Sequence, residues 1–191
     1  MTYRAAACVR GVFVAVLCTG CSSPPAEPEI RLVLAGQALI KKDPRIRWSE
    51  PYGGLRPILE GAEVAFTNFE MAVVSERDRC GLPFDYEVSF GTPALSREER
   101  PGNTGGPHAV EADVLQFLSG LGFNLMSLSN NHAWDLGDCG VAATRAAASA
   151  YGVVTAGTGP DRSTASAPGY LTLGDFTIAL VAATTGHDER G

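Results

Sequence analysis

Leu125-Met126-Ser127-Leu128-Ser129-Asn130-Asn131-His132-Ala133-Trp134-Asp135 passes from an apolar run into two amides, an imidazole and a carboxylate. Gly122 precedes the run and Gly137 follows it, which marks a short buried strand bounded by turns. In α/β folds ligands gather beyond the carboxyl ends of such strands, so this reading places Asn131 and His132 at the edge where a chemical site forms.

Working outward, 31–36 reads as a first buried strand, and 62–70 as a second that also closes on an amide and an acid. Between them, 44–61 carries Pro51, Gly53, Gly54 and Pro57 and reads as loop with a short helix near 58–60. The stretch 75–107 is polar and rich in Gly, Pro and Arg, a long excursion of the kind that forms functional or variable surface. Apolar residues at 110, 114, 115, 118 and 121 have helical spacing, and Ala-rich 140–151 predicts a second helix. A fourth strand follows at 153–157. The runs 170–173 and 176–183 are separated only by Gly174-Asp175, a two-residue hairpin turn. Strand, helix, strand, helix, strand and hairpin together make a layered α/β fold, without internal repeats.

Three strand ends then carry chemistry: Gly36-Gln37, Asn68-Phe69-Glu70 and Asn130-Asn131-His132. Side by side in a parallel sheet they converge on one cleft, with oxygen and nitrogen ligands suited to divalent metal ions. In a two-metal site Glu70 and Asn131 would be ligands, assisted by Asn68. His132 would act as general acid or oxyanion stabiliser, and Asp135 would orient His132 or cap the following helix. The competing reading makes Asn130 and Asn131 turn residues, His132 a satisfied surface imidazole and Glu70 a solvated acid. Asn103-Thr104-Gly105-Gly106 and Gly157-Thr158-Gly159 lack the Walker Lys and the Gly-x-Gly-x-x-Gly spacing, so both read as turns.

The 191 residues, 45% of them hydrophobic, suffice for one cored domain or part of a larger one. The net charge of -6 and the absence of clustered Lys and Arg speak against a nucleic-acid partner. At the N-terminus Arg4 and Arg10 precede the apolar 11–17, too short to span a bilayer, and then Cys18-Thr19-Gly20-Cys21. This predicts an export signal over 1–21. Thr19-Gly20-Cys21 is similar to a bacterial lipoprotein processing site, with Cys21 lipidated and the Pro-rich 22–30 as an extended tether; the alternative is an ordinary cleaved secretory peptide. The chain is then expected in the cell envelope, anchored at Cys21. Cys80 and Cys139 remain, either as a disulfide in an oxidising compartment or as two thiols.

Leu32-Val33-Leu34-Ala35-Gly36, Ala65-Phe66-Thr67-Asn68-Phe69-Glu70 and Met126 through Gly137, in this order, resemble the bacterial capsule-synthesis protein CapA family. That family's motifs have the form Gly-Asp, Ala-Asn-Leu-Glu and Ala-Asn-Asn-His-Ala-x-Asp-x-Gly. The resemblance covers about residues 31–185 and implies a layered metallophosphatase-like sandwich. It also implies a role in capsule or poly-γ-glutamate synthesis or attachment, with the capsule polymer or capsule-synthesis membrane proteins as partners. A catalytic member would be a metal-dependent hydrolase or transferase, with His132 and Asp135 catalytic and Glu70, Asn131 and Asn68 holding divalent metal ions.

Two departures bear on this. Gln37 stands where the family has the Asp of Gly-Asp, and a neutral amide is a poorer ligand for a hard cation. The His-Trp-Gly and Gly-His-His-Pro-His type motifs of the family's second half have no counterpart, since only His108, His132 and His187 occur and His187-Asp188-Glu189-Arg190 does not reproduce them. The domain over 31–191 is therefore expected to be the N-terminal half of a sandwich, incomplete at its C-terminal end and open to a completing polypeptide. These departures favour the alternative of a non-catalytic surface lipoprotein that binds polymer or assembly partners. A third reading is a generic secreted α/β domain whose Asn-Asn-His is only a turn.

Overall fold

The apolar runs at 31–36, 62–70 and 123–129 become strands with one face covered by the helices that follow them. The computed structural model describes residues 29–40, 53–83, 88 and 107–185. The export signal, Cys21, most of the tether, Asn103-Thr104-Gly105-Gly106 and His187 lie outside the described residues. In chain order the elements are β1 (Leu32–Ala38), α1 (Arg56–Leu59), β2 (Val64–Phe69), β3 (Ala72–Val73), β4 (Ala109–Val110), α2 (Asp113–Leu121), β5 (Leu125–Ser127), α3 (Gly137–Ala150), β6 (Val154–Ala156), α4 (Arg162–Ser166), β7 (Gly169–Leu173) and β8 (Phe176–Leu180).

The main sheet is parallel with strand order β1-β2-β5-β6, each strand beside its predecessor in the sheet. Successive right-handed crossovers between such strands put their helices on one face. One cluster accordingly joins Val33, Ala35, Ala65, Phe69 and Met126 of the sheet to Leu59 of α1, Val114, Leu115, Leu118 and Leu121 of α2, and Ala148 of α3. The opposite face is open at its edge: Leu32 and Leu34 of β1 are exposed, Phe66 is half-buried and Leu125 is buried. β7 and β8 form the expected antiparallel hairpin through Gly174-Asp175, and β7 starts against β6. Among the described residues no helix is long and apolar enough to cross a membrane.

The helix expected over 110–121 begins later, at Asp113. Ala109 and Val110 instead pair in parallel with Ala72 and Val73, a long-range pairing that outweighs local helical spacing. α2 stops at Gly122, whose φ of 112° turns the chain and lets its N–H close on the Leu118 and Ser119 carbonyls. The small β3-β4 sheet carries a second cluster of Ala72, Val74, Ala109 and Leu136, against which Cys80, Leu82 and Val88 pack. Cys80 and Cys139 are joined by a disulfide with a Cα separation of 5.4 Å, closing a loop of sequence separation 59. The first turn of α3 is thereby fastened to the polar excursion.

Candidate strand-end site

The carboxyl ends of β1, β2 and β5 lie side by side, because Gln37 pairs with Asn68 and Asn68 with Ser127. β1 reaches this register through an irregularity: Leu34 pairs with Phe66 but Gln37 with Asn68, so β1 carries one extra residue. Such a bulge re-aims a side chain, and here it brings Gln37 rather than Gly36 beside Asn68. The Thr67 hydroxyl donates to the Gly36 carbonyl at 2.7 Å and holds the irregular stretch.

Glu70, one residue past β2, is 6% exposed. A carboxylate so placed needs partners. Its Oε2 accepts the amide N–H of Gln37, and its Oε1 lies 3.9 Å from His132 Nε2. The other ring nitrogen, Nδ1, is 2.9 Å from Asp135 Oδ2. That same carboxylate oxygen accepts the main-chain N–H of His108 at 2.7 Å. Gln37, Glu70, His132 and Asp135 therefore form one polar chain across the strand ends, and His108 joins it where the chain enters β4.

Asn130, not Asn131, ties the strand ends together: its Nδ2 donates to Asn68 Oδ1 at 3.2 Å and to the Phe69 carbonyl at 2.8 Å. Its Oδ1 accepts the His132 main-chain N–H at 3.0 Å and shapes the turn. Asn131 is exposed in that turn. Asn68, Glu70, His132 and Asp135 are thus brought together, while Asn131 stands at the rim. Beside it Trp134 is exposed, with its indole N–H on Asp138 Oδ1 at 3.1 Å.

His108 is the residue that sequence reasoning did not place. Its ring stacks on that of His132, with centroids 3.6 Å apart and planes 24° apart. Only the pairing of β3 with β4 delivers it, and two-residue strands leave almost no periodic signal.

His108, His132 and Asp135 hold ligand atoms within 4.8 Å of one another, and nitrogen and carboxylate donors suit a divalent transition metal. The stack limits how they can act, because an ion on a ring nitrogen lies in that ring's plane, and two nearly parallel rings do not share such a point. His132 Nε2 and Glu70 Oε1 lie 3.9 Å apart, a little beyond the roughly 3.4 Å between two ligands of a tetrahedral ion with bonds of about 2.1 Å, so a small approach of the two side chains brings both onto one ion. Oε2 accepts the Gln37 amide N–H, which leaves Oε1 as the carboxylate oxygen facing His132. The group of Asp78, Cys80 and Cys139 is different in kind, since its sulfurs are spent in the disulfide.

A family model for "Bacterial capsule synthesis protein PGA_cap" matches residues 31–191. Two curated relatives of Sinorhizobium fredii (strain NBRC 101917 / NGR234), the uncharacterized proteins y4sH and y4uA, are each 24% identical over 167 residues. The alignments cover 87% of this chain and 33% of each relative, so the chain spans about a third of the length of the curated relatives it matches.

Proposed function

The chain belongs to the bacterial capsule synthesis protein family, and from that premise we propose that it is an exported envelope protein acting in capsule or poly-γ-glutamate synthesis or attachment, through a metallophosphatase-like site at its strand ends. The observation that carries the site is the meeting of Glu70, His132 and Asp135 on adjacent parallel strands and the turn beyond them. Glu70 and His132 would hold a divalent ion, assisted by Asn68 and Asn131. When bound, that ion supplies Lewis-acid polarisation of a phosphoryl or carbonyl oxygen. Asp135 fixes the His132 ring, and Asn130 fixes the turn that carries it. With no ion on it, Nε2 of His132 would instead be open to take up a proton, and in either part Asp135 keeps the ring oriented for a hydrolase or transferase reaction.

The same reading anchors the chain in the cell envelope through a lipid on Cys21, with capsule polymer or capsule-synthesis membrane proteins as its partners. A completing polypeptide turns the open sheet into a two-sheet sandwich, and the exposed Leu32 and Leu34 support that part. Gln37 supports a second reading, a non-catalytic lipoprotein that binds polymer, because its amide satisfies a carboxylate oxygen that would otherwise face a cation.

Metal analysis of the purified protein separates the two. Stoichiometric metal, lost in Glu70→Gln and His132→Ala variants that keep the wild-type circular dichroism, is the expected result. A folded, metal-free wild type overturns the ion-binding reading and leaves the polymer-binding one.

A further inference from the structure

The His132 ring is held at Nδ1 by Asp135 and on one face by His108, which also braces Asp135. Asp135 Oδ2 faces Nδ1 at 2.9 Å, and the same oxygen takes the His108 main-chain N–H at 2.7 Å. The His108 ring covers one face of the His132 ring at 3.6 Å. A carboxylate only accepts, so the ring nitrogen that meets it is the one carrying the proton. In the neutral ring the lone pair is then on Nε2, the nitrogen directed toward Glu70 Oε1. A half-turn of the imidazole about Cβ–Cγ would take Nδ1 off Asp135, and on the way the ring would have to leave its stack on His108.

We propose that His108 is a positioning residue: through its main-chain N–H on Asp135 and its ring on His132 it locks His132 as the Nδ1–H tautomer, presenting Nε2 toward Glu70 as the working nitrogen. This deepens the strand-end reading and rests on that site being functional, but the tautomer itself does not depend on catalysis or on a bound ion. It assigns His132 the part of ligand or proton acceptor, since the nitrogen facing the cleft bears no proton in the neutral ring. Outer contacts that fix a ligand histidine are a general means of setting its tautomer and orientation.

The test is long-range proton–nitrogen correlation spectroscopy on the full chain labelled with nitrogen-15 in histidine, at a pH where the imidazoles are neutral. The expected wild-type spectrum shows His132 as the Nδ1–H form alone. His108→Ala should admit the Nε2–H form and lower the affinity for added zinc ion by roughly tenfold. His108→Phe, which keeps an aromatic face and the main-chain N–H, should restore the single tautomer. Should His108→Ala not fold, His108→Leu removes the ring with less loss of volume and is expected to give the same mixture. An Nε2–H wild type, or a Nδ1–H form untouched in whichever ring-less variant folds, overturns the inference. Failure of zinc to bind a wild type that still shows pure Nδ1–H counts against the ion-binding site alone and leaves the positioning role standing.

Discussion

On the helix-covered face of the sheet Ala65, Phe69 and Met126 are 1% exposed or less, whereas across the same sheet Leu32 and Leu34 of the edge strand stand 49% and 69% exposed. Both faces are built from aliphatic side chains, and in Leu32-Val33-Leu34-Ala35 the two alternate without any change of residue type. The difference lies in what arrives on each side. Sequential crossovers bring α1, α2 and α3 to one face, and at the β1 edge no described element reaches the other. Apolar character therefore reports that a face can be buried, and topology decides whether it is.

The contrast can be broken most severely from the covered side. Phe69→Ala removes a fully buried ring from the cluster that joins β2 to the helices and should cost about 3–5 kcal/mol, read as a large fall in the denaturant midpoint. Cys139→Ser opens the bridge between the polar excursion and α3 and should cost about 2–4 kcal/mol, with a lower Tm that added reductant no longer changes. Thr144→Val is subtler. The buried Thr144 hydroxyl accepts from the Val73 N–H at 2.9 Å and donates to the Gly140 carbonyl at 2.7 Å, so the isosteric change strands a buried donor and should cost about 1–3 kcal/mol. On the open side, Leu34→Ser should alter stability by about 0.5 kcal/mol or less. A clear loss of stability there would mean that Leu34 is covered in solution, and the oligomeric state measured by light scattering would show by what.

A pH scan sharpens the comparison at its weak end. The Cys80 N–H, and then the Ser75 side chain, hold the Asp78 carboxyl below its ordinary range, and the Thr164 N–H does the same for Asp161. A lowered carboxyl contributes stability above its unfolded value and loses that contribution as pH falls through the folded one. Acid below roughly pH 4 should therefore loosen the 75–83 turn and the start of α4 first, seen as earlier amide exchange there than in the covered sheet.

The residues that carried the fold in the sequence were those with long periodicity. The spacing of 114, 115, 118 and 121, the apolar runs before Gly36 and Asn68, and the Gly174-Asp175 turn each led to an observed element. Ala72-Val73 and Ala109-Val110 did not announce themselves, because a two-residue strand exists only by virtue of its partner. The site divides along the same line. Glu70, His132 and Asp135 were legible from their positions at strand ends. The tie that Asn130 makes from the turn to Asn68 and Phe69 was not, since adjacent identical residues differ only in which way the turn points them. The one-residue bulge that brings Gln37 onto Glu70 was equally hidden, because it is a property of register between two strands.

The strand order of the main sheet has a consequence in time. Each strand lies beside the one made just before it, so a chain emerging N-terminus first, from a ribosome or from a pore, always finds its docking partner already outside. β2 needs only β1, β5 only β2, and β6 only β5. No strand of this sheet has to be held back for a later neighbour to insert between two earlier ones, and its growth can keep pace with delivery of the chain.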